Sequence, residues 1–138
     1  MKKKKFEYEK FESAGEFVDG NGKKRKDTSV RICESMLFSD AFSALTNRQK
    51  MLYICCKSQF FGKRKPCQDI EILYDDCFYM SFSTIIPYKI YTKNMKSEYY
   101  KDLKILVDLG FIELIAKGNS RKKSIYKYSD RWKKYKVV

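Results

Sequence analysis

The clearest pattern of apolar and polar positions runs from Lys93 to Tyr128. Apolar residues first recur every three to four positions, which predicts a helix that ends at Leu109. Gly110 follows at once and can close this helix with a positive φ, because glycine has no Cβ to clash. Asn94 is the predicted N-cap, since its side chain can accept from N–H groups of the first turn. The face expected to pack inward consists of Tyr99, Leu103, Leu106 and Val107.

Two strand patterns follow this helix. Phe111–Ile115 is rich in β-branched and aromatic residues, and Ser124–Tyr128 has the alternation of a second strand. Lys117–Lys123 lies between them and combines turn residues with four cations. The sequence therefore predicts a β-hairpin with a basic tip, directly after a helix with a basic outer face.

Shorter patterns precede this pair. Ser35–Leu45 has helical spacing and is predicted as one short helix. Thr46 and Gln49 have the spacing of a capping box, so a second, largely apolar helix should start there and run to about Phe60. The run from Gly62 to Pro66 should end that helix. Two further elements are a strand at Phe78–Phe82 and a helix at Ser83–Tyr91, which Pro87 interrupts.

This order of elements predicts an α+β fold, a winged helix-turn-helix with a β-hairpin wing and a basic N-terminal arm. In that fold the second helix of the pair enters the DNA major groove, and the wing touches the neighbouring backbone or minor groove. The predicted winged-helix domain spans residues 30–138, and residues 1–29 form a basic arm or a hairpin. A hairpin would pair Phe6–Phe11 with Val30–Cys33, whereas the charge density of the segment favours a mobile arm.

The charge is high and unevenly placed. The net charge is +13; residues 1–26 hold nine Lys/Arg against five Asp/Glu, and residues 117–136 hold nine against one. Such a balance points first to nucleic acid, then to an anionic membrane surface or an acidic protein. Solvated lysine-rich faces are the plainer explanation of the same charge. The acidic stretch Cys67–Asp76 is expected to be a solvated loop, and a metal-binding carboxylate cluster is the weaker alternative.

The chain has five cysteines and no histidine. The cysteines form no Cys-x-x-Cys pair, which favours reduced cytosolic thiols, most of them buried. A zinc site made of cysteines alone stays an alternative, although structural zinc ligands usually come in close pairs.

The N-terminal residues bear on location. Lys2 to Lys5 resemble the start of a signal peptide, but charged residues follow where a signal peptide needs an apolar core. A cytoplasmic location without a membrane span is therefore expected.

Double-stranded DNA is the expected partner. The outer face of the predicted helix and the hairpin tip supply cations and hydrogen-bonding groups. Ser97 and Tyr100 are the side chains expected to reach base edges, and the lysines are expected to position the protein on phosphates. The candidate DNA-binding residues are Lys93, Asn94, Lys96, Ser97, Tyr100, Lys101, Lys104, Lys117, Asn119, Arg121, Lys122 and Lys123.

Four stretches carry a family resemblance: Tyr99–Lys104, Leu109–Glu113, Arg121–Tyr126 and Ser129–Trp132. Together they resemble small winged-helix proteins carried by plasmids and integrative conjugative elements of Gram-positive bacteria. They also look like the N-terminal winged-helix domain of plasmid replication initiators. The resemblance covers about residues 30–135 and departs at Pro87 and the acidic loop before it. It implies a role in replication, conjugative transfer or transcription of a mobile genetic element.

The sequence also bears on two other classes of function, an enzyme and a protein-interaction module. An enzyme is not expected, because a chain without histidine has no imidazole base and no histidine-metal centre. No cofactor is expected. The main alternative is a protein-interaction module that docks an acidic partner such as a relaxase or a replication initiator. The sequence leaves a homodimer open.

Trp132 is expected to anchor the C-terminal segment to the core, because its indole is large and apolar.

Overall fold

The computed structural model describes residues 16–18, 21–26, 30–59 and 77–137. The chain divides into two units, Met1–Val30 and Arg31–Val138. In the first unit, β1 (Glu16–Val18) pairs antiparallel with β2 (Lys24–Lys26), and Gly22 in the turn has φ +78°. The alternative hairpin would need a strand at Val30–Cys33, but these four residues form none, and the hairpin described in this unit is the more local one of β1 and β2. The predictions for Phe6–Phe11, for the helix stop at Gly62 to Pro66 and for the acidic loop concern residues outside the described ones.

The second unit begins with two short helices rather than the single helix predicted. These are α1 (Glu34–Leu37) and α2 (Asp40–Ser43). Ser39 separates them, because its hydroxyl donates to the Met36 carbonyl at 2.7 Å and accepts from the Phe42 N–H at 3.1 Å. Met36, Ala41, Phe42 and Leu45 are buried as expected. Leu37 and Phe38 are not, and 77% of the Phe38 surface is exposed.

The capping box that begins α3 (Asn47–Lys57) is confirmed. The Thr46 N–H donates to Gln49 Oε1 at 2.9 Å, and the Gln49 N–H donates to Thr46 Oγ1 at 3.2 Å. Each side chain thus satisfies a backbone donor that the first turn leaves unpaired. The helix buries Leu52, Tyr53, Cys55 and Cys56.

Three strands form an antiparallel sheet in the order β3-β5-β4. They are β3 (Cys77–Met80), β4 (Ile112–Ala116) and β5 (Ser124–Tyr128). The predicted hairpin is therefore present, and its second strand has the predicted bounds. Its first strand starts one residue later than predicted, and a bulge between Leu114 and Ala116 shifts the register near the turn. The strand predicted to reach Phe82 stops at Met80, because Ser81 caps a helix there.

The predicted helix at Ser83–Tyr91 is shorter and irregular. A single helical turn, α4 (Phe82–Ile85), passes into a 3₁₀ turn, Ile86–Tyr88. Pro87 lies in that 3₁₀ turn, where its missing N–H costs no helical hydrogen bond. Lys89 then adopts a left-handed backbone with φ 63° and ends the segment.

The long amphipathic helix is α5 (Lys96–Asp108). Gly110 has φ +88°; its N–H donates to the Val107 carbonyl, and the Phe111 N–H donates to that of Leu106. This pair of bonds is a Schellman motif, so the predicted glycine stop is confirmed. The predicted Asn94 cap is wrong. Met95 occupies the N-cap position and gives no side-chain cap, because the Thr92–Met95 turn starts the helix one residue later.

The core of the second unit is rich in aromatic rings. Tyr99, Leu103 and Leu106 are buried as predicted, and Val107 packs against the same cluster. Trp132 anchors the C-terminal segment, as expected, and stacks on Phe111 with ring centroids 6.1 Å apart. The backbone N–H of Trp132 donates to the Gly110 carbonyl at 3.1 Å, so this hydrogen bond joins the C-terminal segment to the end of α5. The described chain is thus an α+β fold with five α-helices and a three-stranded antiparallel sheet in its second unit.

Candidate nucleic-acid interface

The outer face of α5 and the segment before it are exposed, because the apolar side chains of the helix turn to the core. All seven predicted site residues in this region are exposed, and Tyr100 keeps half of its surface, 50%, open to solvent. They are Lys93, Asn94, Lys96, Ser97, Tyr100, Lys101 and Lys104. The Tyr100 ring leans edge-on against the Tyr99 ring at 5.0 Å, which ties this exposed aromatic to a buried one.

Two of these side chains already have partners on the helix. The Ser97 hydroxyl donates to the Glu98 carboxylate at 3.0 Å, and Lys104 pairs with Asp108 at 3.0 Å. The pKa of Glu98 lies below its usual value, because the carboxylate accepts from its own backbone N–H and from Ser97. Exposed pairs of this kind contribute little to stability, because water and salt screen them. Lys104 can therefore exchange Asp108 for a stronger anion at little cost.

The basic loop Lys117–Lys123, which joins β4 and β5, is held in shape by its own hydrogen bonds. Asn119 Oδ1 accepts from the backbone N–H groups of Arg121 at 2.8 Å and Lys122 at 3.1 Å. The Asn119 N–H donates to the Lys122 carbonyl at 2.9 Å. At Gly118 the chain passes so close that a Cβ would lie 2.3 Å from the Lys122 carbonyl oxygen. The loop therefore presents its cations from a defined backbone, and the side-chain carbonyl of Asn119 serves that turn.

An open cleft of about 550 Å³ lies between α5 and the basic loop. Lys96 and Tyr100 line it from the helix, and Lys117, Lys122 and Lys123 line it from the loop. None of the described residues that line the cleft carries a carboxylate, whereas Lys96, Lys117, Lys122 and Lys123 bring four ammonium groups to one space. Six predicted site residues meet there: Lys96, Tyr100, Lys117, Asn119, Lys122 and Lys123.

The other six predicted residues do not line the cleft. Lys93, Asn94, Ser97, Lys101, Lys104 and Arg121 are exposed beside it. Sequence reasoning missed the hydroxyl groups that the cleft adds, which belong to Ser81, Ser120, Ser124 and Tyr126. Ser81 had a recognisable signal, because it stands three residues before Thr84 and accepts from the Thr84 N–H at 3.2 Å as a helix N-cap.

A buried carboxylate fixes α5 relative to α3. Asp102 is 2% exposed and accepts from Arg48 Nε at 2.7 Å, Gln49 Nε2 at 3.1 Å and Tyr91 Oη at 2.6 Å. Burial alone would raise the pKa of Asp102, but the hydrogen bonds from Arg48, Tyr91 and Gln49 hold it below the usual value. The hydrogen bond between Arg48 and Asp102 also raises the pKa of Arg48. These contacts set the angle at which α5 presents its lysines.

The described residues also bear on three other properties: metal binding, thiol chemistry and membrane crossing. Within residues 16–18, 21–26, 30–59 and 77–137, no group of three or more Cys, Asp or Glu side chains is placed to hold a metal ion. Four cysteines are described: Cys33 is exposed, whereas Cys55, Cys56 and Cys77 are buried. Burial raises the pKa of Cys55 to about 11, so this thiol stays protonated at neutral pH. The described helices include none with the length and apolar character that a membrane crossing requires.

Comparisons of the chain with protein-family models, curated proteins and solved structures found no match.

Proposed function

We propose that the second unit is a winged helix-turn-helix that binds double-stranded DNA in a sequence-specific manner. The observation that carries the proposal is the cleft, in which Lys96 of α5 and three lysines of the basic loop face one space that no described carboxylate lines. Duplex DNA presents rows of phosphates, and lysines spaced along one surface release the counterions that those phosphates hold.

The order of elements supports the winged-helix assignment. Helix α3 leads into β3, then into the α4 turn and α5, and β4 and β5 form the hairpin after it. The last strand lies in the middle of the sheet, between β3 and β4. In this proposal α4 and α5 are the helix-turn-helix pair, and the basic loop is the tip of the wing.

The proposed complex places α5 in the major groove and the basic loop on the flanking backbone or minor groove. Tyr100 is the side chain best suited to contact a base edge, because it is half exposed, lines the cleft and is braced by Tyr99. Ser97 is less suited than its sequence position suggests, since its hydroxyl donates to Glu98. Lys93, Lys96, Lys101 and Lys104 act as phosphate contacts that orient the helix.

The biological setting rests on the resemblance of residues 30–135 alone. From that resemblance we propose a role in replication, conjugative transfer or transcription of a plasmid or an integrative conjugative element. A footprint on DNA flanking its own gene tests this setting. One protected half-site indicates a monomer, and two half-sites one helical turn apart indicate a homodimer.

The binding claim is tested by replacing Lys96 and Lys101 together with alanine. Both are exposed on α5, so the variant should keep the unfolding temperature of the parent. If each lysine meets one phosphate, the slope of log affinity against log salt should fall by about 1.8. A control removes the same charge from α3, through Lys50→Gln and Lys57→Gln. Equal slopes in the parent and the α5 variant would contradict the proposal.

A second candidate function is the docking of an acidic protein partner, such as a relaxase or a replication initiator. The observation that favours it is Phe38, which is 77% exposed and lines a shallow cleft together with Trp132, two lysines (Lys133 and Lys136) and one carboxylate (Asp40). An aromatic ring beside lysines fits an acidic, partly apolar peptide. Phe38→Ser separates the candidates, because it should leave duplex binding unchanged and weaken only a protein partner. Lost duplex affinity in Phe38→Ser would contradict this division.

A further inference from the structure

The short turn before α5 has an unusual backbone at Lys89. Its φ is 63°, and it is the single non-glycine residue with positive φ in residues 16–18, 21–26, 30–59 and 77–137. Glycine accepts this left-handed conformation without the Cβ strain that lysine incurs, and asparagine tolerates it because its short side chain can hydrogen-bond locally. Lys89 is also exposed. A long cation therefore stands at an outward turn where a glycine would fit the backbone better.

Tyrosine hydroxyl groups tie the turn to the rest of the unit on both sides of Lys89. On one side, Tyr88 Oη lies 2.6 Å from Ser58 Oγ and 2.6 Å from Gln59 Nε2, at the end of α3. On the other side, Tyr91 Oη donates to the buried Asp102 carboxylate at 2.6 Å. Strained backbone of this kind persists where the surroundings over-determine it, and it is concentrated at functional sites.

The ammonium group of Lys89 has no structural task within the described chain. It forms no ion pair and no hydrogen bond with a described residue. It is followed by Lys93 and Lys96, both exposed, so three cations lead along the chain into the start of α5. Packing does not explain the lysine either, because the residues of this turn that contact the core are Ile90 and Tyr91.

We propose that Lys89 contacts a phosphate of the DNA backbone and so extends the interface to the turn between α4 and α5. The inference rests on the proposed DNA-binding function and adds a contact that the twelve predicted site residues do not include. The fixed turn holds the start of the side chain in one place, which lowers the entropy lost when the ammonium meets a phosphate.

The experiment compares Lys89→Gly, Lys89→Asn and Lys89→Arg with the parent on the DNA that the parent binds, over a range of salt concentrations. Lys89→Gly and Lys89→Asn should lower the salt slope by about 0.9 and the affinity at 0.1 M salt by about eightfold, the effect of one phosphate. Lys89→Arg should keep both the slope and the affinity. The unfolding midpoint of Lys89→Gly should equal or exceed that of the parent, because glycine relieves the strain.

The outcomes separate this inference from the proposed function. A parent that shows no salt-dependent duplex binding overturns both. A parent that binds duplex DNA while Lys89→Gly and Lys89→Asn keep its slope overturns the Lys89 contact alone. A loss confined to Lys89→Gly, with Lys89→Asn equal to the parent, would trace the effect to backbone flexibility and would also overturn the contact.

Discussion

Asp102 is expected to be the most costly polar side chain to remove from this fold. Replacing it with alanine takes away the acceptor for Arg48, Gln49 and Tyr91 at once. The largest penalty should come from Tyr91, which is 4% exposed and would keep a buried hydroxyl without a partner. Such a group costs about 1–3 kcal/mol.

The ion pair itself adds less. The Arg48 side chain is 40% exposed, so water can solvate its guanidinium once Asp102 is gone. Loss of the ion pair should therefore cost about 1 kcal/mol of unfolding free energy. Together these terms predict that Asp102→Ala loses about 2–4 kcal/mol of unfolding free energy, as measured by urea denaturation of the full chain at neutral pH.

A double-mutant cycle with Tyr91→Phe tests the reasoning behind that figure. In the parent, Tyr91→Phe should destabilise, because it removes a hydrogen bond to a carboxylate worth about 1.5–3 kcal/mol. In the Asp102→Ala background, Tyr91→Phe should be neutral or stabilising, because it then removes an unpaired buried hydroxyl. Equal losses in both backgrounds would refute the assignment of this bond.

The pH dependence of stability follows from the direction in which the pKa of Asp102 is shifted. The folded-state pKa of Asp102 is depressed, so its contribution to stability is fully present above the unfolded carboxylate value of about 3.9. This contribution is lost as the pH falls through the lower pKa that Asp102 has in the folded state. Below about pH 4 the parent should therefore lose stability more steeply than Asp102→Asn, and parallel curves in acid would contradict the shift.

Three further changes test the packing around α5. Leu106→Ala should cost about 2–5 kcal/mol in urea denaturation, because Leu106 is 0% exposed and leaves a cavity; a loss below 0.5 kcal/mol, the usual limit of a surface substitution, would mean that the helix faces are reversed. Tyr99→Phe should be neutral or stabilising in the same assay, since the buried Tyr99 hydroxyl has no hydrogen-bond partner among the described residues; a clear loss would show that it has one. Gly110→Ala should cost more than the about 1–2 kcal/mol of a left-handed backbone, because its Cβ would also lie 2.7 Å from the Arg131 backbone; a thermal midpoint equal to that of the parent would contradict that clash.

The parts of the fold that the sequence predicted are those with local causes. The inward face of α5 follows from periodicity, its end follows from Gly110, and the hairpin follows from two strand patterns around a turn. The single helix at Ser35–Leu45 failed for an equally local reason. Ser39 fits the helical spacing, but its hydroxyl donates to the Met36 carbonyl and accepts from the Phe42 N–H, which divides the segment into two helices. The spacing of apolar residues carries no information about these hydrogen bonds.

The parts that the sequence missed depend on residues far apart in the chain. Asp102 appears in the sequence as one more charged position of an amphipathic helix, and its burial depends on Arg48, 54 residues earlier. The cleft has the same origin. The candidate residues could be named from charge and exposure, but only the packing of β4 and β5 beside α5 decides which six of them meet. Lys89 escaped notice because a positive φ at lysine leaves no sign in the sequence.

The most direct test of the central claim is the salt dependence of duplex binding after the basic loop is neutralised. Arg121, Lys122 and Lys123 are exposed, and the backbone bonds that shape the loop do not use their side chains. The triple alanine variant should therefore unfold like the parent, yet its slope of log affinity against log salt should shrink by about 2.7, or 0.9 for each phosphate. Its footprint should lose protection at the outer edge of the site and keep it at the centre, where α5 lies. An unchanged slope together with an unchanged footprint would contradict the account.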